Sequence, residues 1–163
     1  MTIRVRVASP ADHDAVIALV PRLFAFGAVP LRPKQALIGA ERDVLERVLQ
    51  TPDADGEVLV AELPAPGLVG IACVQTATDY FTGERHGHLA ILAVAENAEG
   101  RGVGRLLLAA SEAWARQRGY RFITLNVFAA NVRARAIYER SGFALDTMRY
   151  YKELPRPVPD ATA

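Results

Sequence analysis

The polar and glycine residues best suited to chemistry are concentrated in one stretch, residues 92–143. A glycine-rich turn, Glu99 to Gly104, follows the apolar run Leu89 to Val94 after four residues and opens a segment with helical apolar spacing. Alternating glycines let the backbone approach a ligand closely and aim several N–H groups in one direction. Because a helix N-terminus also attracts negative charge, the turn is suited to a diphosphate. The pattern therefore predicts a protein that holds a phosphorylated cofactor.

Two common phosphate-binding patterns do not fit this turn. A dinucleotide-binding fingerprint requires a glycine three residues after Gly104, where this chain has Leu107. A P-loop requires Gly-Lys followed by Ser or Thr, and no such sequence follows the glycines. A tight strand-to-helix connection without any ligand also explains the glycines, so the turn alone leaves that alternative open.

The residues after the turn favour the functional alternative. Arg121 to Val127 alternates as a strand. Asn131 and Gly142 then bracket a short helix, the first as N-cap and the second as its stop. Asn131 and Tyr138 are about two helical turns apart, so both project from one side. A phenol there can protonate a departing thiolate, and the amide can hold the same ligand.

At these residues the sequence resembles the GNAT superfamily of acetyl-CoA-dependent N-acetyltransferases. The resemblance rests on Leu92-Ala93-Val94, the turn Glu99 to Gly104, and the pattern Asn131-x-x-Ala134-x-x-Ile137-Tyr138-x-x-x-Gly142-Phe143. It covers roughly the C-terminal half of the chain, with the segments in the family's order. It implies transfer of acetyl from acetyl-CoA, as co-substrate, to a primary amine of a small molecule or peptide by direct attack.

The resemblance also implies the site. In the family the turn binds the diphosphate through backbone N–H groups, and the strand before it pairs with the pantetheine arm, here at Leu92 and Val94. The helix-opening Asn131 would contact that arm, and Tyr138 corresponds to the usual general acid. The cofactor-binding set so implied is Leu92, Val94, Glu99, Gly100, Arg101, Gly102, Val103, Gly104, Arg105 and Asn131.

Two positions depart from the family's pattern. The family usually has Gln or Arg where this chain has Glu99, and we expect Arg101 and Arg105 to offset the charge of that carboxylate. Ala90 and Ile91 stand where many members carry Glu or Asp as a base. A catalytically weak CoA-binding sensor or interaction domain is therefore the alternative function, although a pure binder has no need of a thiolate acid.

His88 is the candidate general base. It lies four residues before Leu92 and six before Val94, so on a regular strand it shares their face. Family members that act on arylalkylamines place a histidine there. With an ordinary pKa of about 6.5 it can accept a proton at cellular pH. The alternative is a solvated histidine at the start of the strand.

Glu84, His86 and His88 alternate, which on a regular strand is also a metal-ligand geometry. No fourth ligand is evident nearby in the sequence and the family needs no metal, so we expect none. The single cysteine, Cys73, lies in an apolar strand and is expected to be a packed core thiol, so no acyl-enzyme is expected.

Aromatic residues in two loops are candidates for the acceptor pocket. Tyr80 and Phe81 lie in the connection Thr78 to Gly87, and Phe26 lies in the loop Phe24 to Pro33. Each can instead cover the edge of the core, an interpretation that we prefer for Phe24.

Composition narrows the class further. With 163 residues and a net charge of +1 from interspersed charges, the chain is expected to be one soluble domain over residues 1–154. Nothing suggests a nucleic-acid surface, and no apolar run is long enough for a membrane span. No signal peptide is evident, so cytoplasm is the default expectation. A homodimer is common in the family, but no residue decides the oligomeric state.

The order of elements predicts an α/β fold. Ser9, Pro10 and Asp12 form a capping signal that predicts a helix from Pro10, and apolar spacing predicts another over Lys34 to Gln50. A strand hairpin, Glu57 to Leu63 and Leu68 to Ala77, precedes the strand-helix-strand crossover. Counting two short strands within Ala144 to Leu154, we expect a mixed, mostly antiparallel sheet of about seven strands with helices on both faces, the GNAT-like arrangement. Pro155 to Ala163 is a proline-rich tail that we expect to be disordered.

Overall fold

The computed structural model describes residues 2–51, 55–65 and 67–155. Within these ranges the core is one five-stranded sheet in the order β1-β2-β3-β4-β5. The strands are β1 (Arg4–Val7), β2 (Gly56–Leu63), β3 (Gly67–Thr78), β4 (Arg85–Val94) and β5 (Ile123–Leu125). Strands β1 to β4 run antiparallel to their neighbours, whereas β5 lies parallel to β4.

The helices are α1 (His13–Ala18), α2 (Lys34–Gln50), α3 (Val103–Gln117) and α4 (Val132–Arg140), with short 3₁₀ turns at Pro10–Asp12, Val20–Phe24 and Glu96–Ala98. The apolar spacing predicts α2 with these same bounds. The capping signal before α1 is also confirmed, because the backbone N–H of Ser9 donates to Asp12 Oδ2 at 2.6 Å.

Each face of the sheet packs against its own helices. The α3-side core is built on side chains of β2, β3, β4 and α3, with Leu59, Ala72, Val74, Leu89, Val103 and Leu107 among its buried members. The α2-side core joins α1 and α2 to the opposite face, with Val16, Leu45, Val60, Ile71, Cys73 and Ile91 among its members. Helices therefore cover both faces, as the sequence predicts.

The expected count of about seven strands is wrong for the described residues. The structure has no strand between Ala144 and Leu154, where Leu145 and Tyr150 are largely exposed. A strand needs a partner edge for its backbone groups, and no described strand pairs with this segment. The edge strand β5 is itself only three residues long, shorter than the predicted Arg121 to Val127.

The connection after β3 is also shorter than expected. The sequence suggested a loop over Thr78 to Gly87, but β4 already begins at Arg85, and only residues 79–84 form the turn. His86 and His88 therefore lie within the part of β4 that pairs with β3 before the register shift at Cys73 and Val74. The predicted proline-rich tail lies outside the described residues from position 156 onward.

Candidate active site

The glycine turn has the backbone geometry that its composition suggested. Gly100 and Gly102 have φ values of 74° and 82°, a left-handed conformation that favours glycine. Gly102 is the residue immediately before α3, so the turn delivers the chain directly to a helix N-terminus. A Cβ built at either glycine meets no atom within 4 Å, which leaves the surface of the turn open. The geometry suits an approaching anion.

The edge of β4 next to this turn lacks a neighbouring strand. Pairing with β5 covers only Gly87 to Leu89, so in the described residues no strand pairs with that edge from Ala90 to Val94. Leu92 and Val94 lie in this stretch and pack their half-buried side chains against the α3-side core. An extended polar chain such as an amide-bearing arm can therefore pair with the exposed backbone there.

Glu99 is neutralised by two arginines that the sequence did not suggest. Its carboxylate accepts hydrogen bonds from Arg22 and Arg133, both at 2.7 Å. Arg133, and secondarily Arg22, hold the pKa of Glu99 below its ordinary value. The expectation that Arg101 and Arg105 offset this charge is wrong, since neither makes an ion pair with any described residue.

Arg22 also connects the 3₁₀ turn Val20–Phe24 to the open edge of β4. Its Nε donates to the backbone carbonyl of Val94 at 3.4 Å, while Nη2 holds Glu99. The partners are more than 70 residues apart along the chain. No local pattern could have revealed this contact, because only the fold brings them together.

Asn131 opens α4 as predicted. Its Oδ1 accepts the backbone N–H of Ala134 at 3.1 Å, the usual role of an N-cap. The amide nitrogen remains to donate to a ligand. The capping bond fixes the start of α4, the helix that carries Tyr138.

Tyr138 packs on the α3 side of the sheet. Its ring lies against the α3-side core, with the Phe143 ring centroid 6.0 Å away in an edge-on arrangement. Burial raises the pKa of its phenol above the ordinary value. The hydroxyl therefore stays protonated at neutral pH, as a general acid must.

A bulge interrupts the ladder between β3 and β4. Cys73 pairs with Ile91, but the next residue of β3, Val74, pairs with Leu89. Ala90 is therefore an extra residue in β4 with no partner of its own on β3. Such an insertion changes the face to which the following side chains point.

The bulge places His88 on a different face from the one we expected. Leu89 belongs to the α3-side core, and Leu92 and Val94 pack against that same core, on both sides of the inserted residue. Since neighbouring residues alternate, His88 points to the opposite face, toward α1 and α2. The expectation that His88 shares a face with Leu92 and Val94 is wrong, because it assumed a regular strand.

His86 and His88 converge on Thr124 of β5. The distances to Thr124 Oγ1 are 3.1 Å from His86 Nε2 and 2.8 Å from His88 Nδ1. Burial, followed by the neighbouring His86, lowers the pKa of His88, so its ring is neutral at cellular pH. Sequence reasoning missed Thr124, whose contact depends on the register of β4 and β5.

Glu84 does not join the two histidines. Its carboxylate accepts two hydrogen bonds from Arg121, at 3.0 and 2.7 Å, and that guanidinium lowers its pKa. In the part of the chain that the structure describes, no group of three or more His, Cys, Asp or Glu side chains is arranged to hold a metal ion.

The three aromatic pocket candidates do not come together. Tyr80 and Phe81 pack edge-on against each other at the tip of the β3–β4 turn and are 92% and 84% exposed. Phe26 instead contacts Phe128, which follows β5, with ring centroids 6.1 Å apart. Phe24 is buried, which agrees with the interpretation that it covers the edge of the core.

A cavity of about 350 Å³ lies beside Phe24 on the loop between α1 and α2. Arg32 and Lys34 are its charged lining residues, and neither makes an ion pair with another described residue. The remaining lining is apolar or glycine: Phe24, Ala25, Gly27, Ala28, Val29 and Leu37. Sequence reasoning placed the acceptor loop here but did not single out the two cations.

Comparison with known proteins identifies the class. Residues 32–143 match the Acetyltransferase (GNAT) family. The chain is 36% identical over 134 residues to the mycothiol acetyltransferase of Propionibacterium freudenreichii subsp. shermanii, covering 82% of this chain and 40% of that protein. It is 33% identical over 117 residues to the aminoglycoside N(6')-acetyltransferase type 1 of Stenotrophomonas maltophilia, covering 69% of this chain and 76% of that protein.

A solved structure shares the fold. The aminoglycoside N-acetyltransferase AAC(6')-Iy, in complex with the bisubstrate analogue CoA-S-monomethyl-acetylneamine, has a TM-score of 0.70 at 19% identity, covering 95% of this chain and 100% of that one. The chain thus belongs to the GNAT family of acetyltransferases. The chain spans less than half the length of the mycothiol acetyltransferase that it matches. No helix in the described ranges is long and apolar enough to cross a membrane.

Proposed function

We propose that the domain transfers acetyl from acetyl-CoA to the primary amine of a small molecule by direct attack. The observation that carries this is the open edge of β4 beside the glycine turn at the N-terminus of α3. Gly100 to Gly104 would hold the diphosphate, and the backbone of Leu92 and Val94 would pair with the pantetheine arm. Bound there, acetyl-CoA supplies an activated acetyl group as a thioester.

The proton transfers fall to two side chains. The amine nitrogen bonds to the acetyl carbon as the carbon–sulfur bond breaks, and Tyr138 gives its phenolic proton to the departing thiolate and is reprotonated from solvent. His88 takes the proton that the amine releases, directly or through one water. Cys73 is no candidate for an acyl-enzyme, because burial raises the pKa of its thiol to about 12.

The acceptor would enter from the α2 side of the sheet. The cavity beside Phe24 is lined by the loop between α1 and α2 and by the start of α2, and His88 points to the face that α2 covers. Arg32 and Lys34 favour an acceptor amine that also carries a neutral or anionic group, because they repel a polycation. A related protein is an aminoglycoside acetyltransferase. Because of Arg32 and Lys34, this chain should prefer acceptors that carry less positive charge than an aminoglycoside.

Thiol release from acetyl-CoA across an amine panel tests the proposal. The panel contains matched pairs that differ only in an anionic or a cationic group, such as an amino acid and its diamine analogue. We expect release that depends on the amine and favours the anionic member, with that preference reduced in Arg32→Gln and Lys34→Gln. Tight acetyl-CoA binding by calorimetry without release for any amine would support the sensor alternative instead.

A further inference from the structure

Thr124 links the two histidines of β4 through one hydroxyl group. Its Oγ1 lies 2.8 Å from His88 Nδ1 and 3.1 Å from His86 Nε2. The contact follows from the parallel pairing of β4 and β5, which sets Thr124 opposite His88. A hydroxyl carries one proton, so Thr124 can donate to only one of the two rings.

The backbone carbonyl of Glu84 gives these hydrogen bonds a direction. It lies 3.5 Å from His86 Nδ1 and can only accept, so this contact favours the tautomer with a proton on Nδ1. His86 is only 6% exposed and stacks on Phe122 with ring centroids 4.6 Å apart. With a proton on Nδ1, the neutral form of the ring has its lone pair on Nε2, which accepts from the Thr124 hydroxyl.

We propose that His86 and Thr124 position His88 and fix its tautomer, with the proton on Nδ1 and the lone pair on Nε2. Because the only O–H of Thr124 donates a hydrogen bond to His86, the Thr124 oxygen accepts one from His88, and the donor is Nδ1–H of His88. The other nitrogen, Nε2, then carries the lone pair that a general base needs. The catalytic consequence rests on the proposed function, whereas the tautomer does not.

The groups around these hydrogen bonds do not change which atoms donate and which accept. The Glu84 carboxylate is held by Arg121 through two hydrogen bonds and makes none to His86. Gln75, the residue of β3 that pairs with His88, is uncharged. His86 is thus a positioning residue that acts through Thr124.

Histidine tautomers are read directly from long-range ¹H–¹⁵N spectra of the full chain labelled at histidine, recorded above the pH at which the rings are protonated. The chain has three histidines, and His13→Asn assigns the one outside this cluster. We expect His86 and His88 both to carry the proton on Nδ1. Wild-type protein with His88 protonated on Nε2 would overturn the proposal.

Three variants separate the parts of the chain. Thr124→Val keeps the side-chain shape and the strand preference but removes the hydroxyl, so His88 should become a mixture of tautomers. Thr124→Ser should keep the wild-type tautomer. His86→Phe keeps an aromatic ring against Phe122 but frees the Thr124 proton to donate to His88 Nδ1, so the His88 tautomer should invert. If the His88 signals in Thr124→Val are the same as in the wild type, the proposed hydrogen bonds through Thr124 are also refuted.

Kinetics distinguish a failure of this proposal from a failure of the proposed function. Thr124→Val should lower kcat roughly tenfold or more, within the range of a misplaced general base, with the KM for acetyl-CoA unchanged and kcat restored in Thr124→Ser. If the tautomers behave as expected while kcat is unaffected in both Thr124→Val and His88→Gln, the hydrogen-bond chain stands. In that case His88 is not the base.

Discussion

Substituting alanine for Gly104 should weaken acetyl-CoA binding without weakening the fold. Gly104 is the second residue of α3 and does not have a positive φ. A Cβ added there would lie 3.8 Å from Val94 Cγ2, an ordinary contact. Alanine is favoured over glycine in a helix by roughly 0.5–1 kcal/mol, so the free energy of unfolding should stay the same or rise by about that amount.

The expected loss of affinity follows from what the methyl group would displace. A hydrogen bond from a backbone N–H to a charged group contributes about 1.5–3 kcal/mol, and each 1.4 kcal/mol is a factor of about ten in Kd. If the diphosphate approaches the turn as proposed, the methyl of Gly104→Ala should cost one such contact. Calorimetric titration with acetyl-CoA should then show a Kd roughly 10- to 100-fold higher.

Glycines elsewhere in the helices provide matched controls. Gly39 in α2 also has open space around a Cβ and no positive φ, so Gly39→Ala should gain stability and leave the Kd unchanged. Gly102 and Gly119 stand at opposite ends of α3 with φ values of 82° and 72°. Alanine at either position should lower the free energy of unfolding, measured in urea, by about 1–2 kcal/mol. Only Gly102→Ala should also change the Kd for acetyl-CoA. A folded Gly104→Ala protein with unchanged Kd would refute the diphosphate assignment.

Three further substitutions test the acid, the base and the N-terminal cap. Tyr138→Phe should lower kcat roughly 10²- to 10⁴-fold with little change in acetyl-CoA affinity, because only the proton donor is lost; a near-normal kcat would assign that proton to another group. The acidic limb of kcat/KM should lie below the ordinary histidine value of about 6.5, since the pKa of His88 is lowered, and should vanish in His88→Gln; its persistence would place the base elsewhere. Asp12→Asn should destabilise the protein by about 1–3 kcal/mol at neutral pH, because it removes the negative charge and one of the two oxygens that accept from Arg6, whose guanidinium holds the pKa of Asp12 well below its ordinary value. Because the pKa of Asp12 is lowered on folding, its carboxylate stabilises the fold at pH values above the unfolded pKa of about 3.9, and this stabilisation is lost as the pH falls toward the folded pKa. The urea midpoints of the wild type and Asp12→Asn should therefore converge in acid. A constant separation between them would contradict this.

Local signals in the sequence predicted what depends on neighbours along the chain. The bounds of α2, the N-caps at Ser9 and Asn131, and the glycine turn into α3 all follow from residues within about one helical turn of each other. The family membership follows for the same reason, since its motifs are short and ordered. These features needed no knowledge of which strands pair.

Contacts across the fold could not be predicted in this way. Glu99 is an unfavourable neighbour for a diphosphate until Arg22 and Arg133 are brought to it from separate elements. The partner of His88 is Thr124, which depends on the parallel register of β4 and β5. The strands expected within Ala144 to Leu154 show the opposite error, because they were counted in a segment where the described sheet has no strand.

Ala90 shows how one unpaired residue changes the chemistry that a strand can support. Without the bulge, His88 would point toward α3 with Leu92 and Val94, the side on which Tyr138 packs. With it, the proposed base lies on the α2 side and the proposed acid on the α3 side, with the open edge of β4 beside them. An amine can then approach from the α2 side while the thiolate departs toward the α3 side. The incoming amine and the departing thiolate therefore do not compete for the same space. The absence of a carboxylate at Ala90 and Ile91 is therefore weak support for a sensor, because His88 already faces the side proposed for the acceptor.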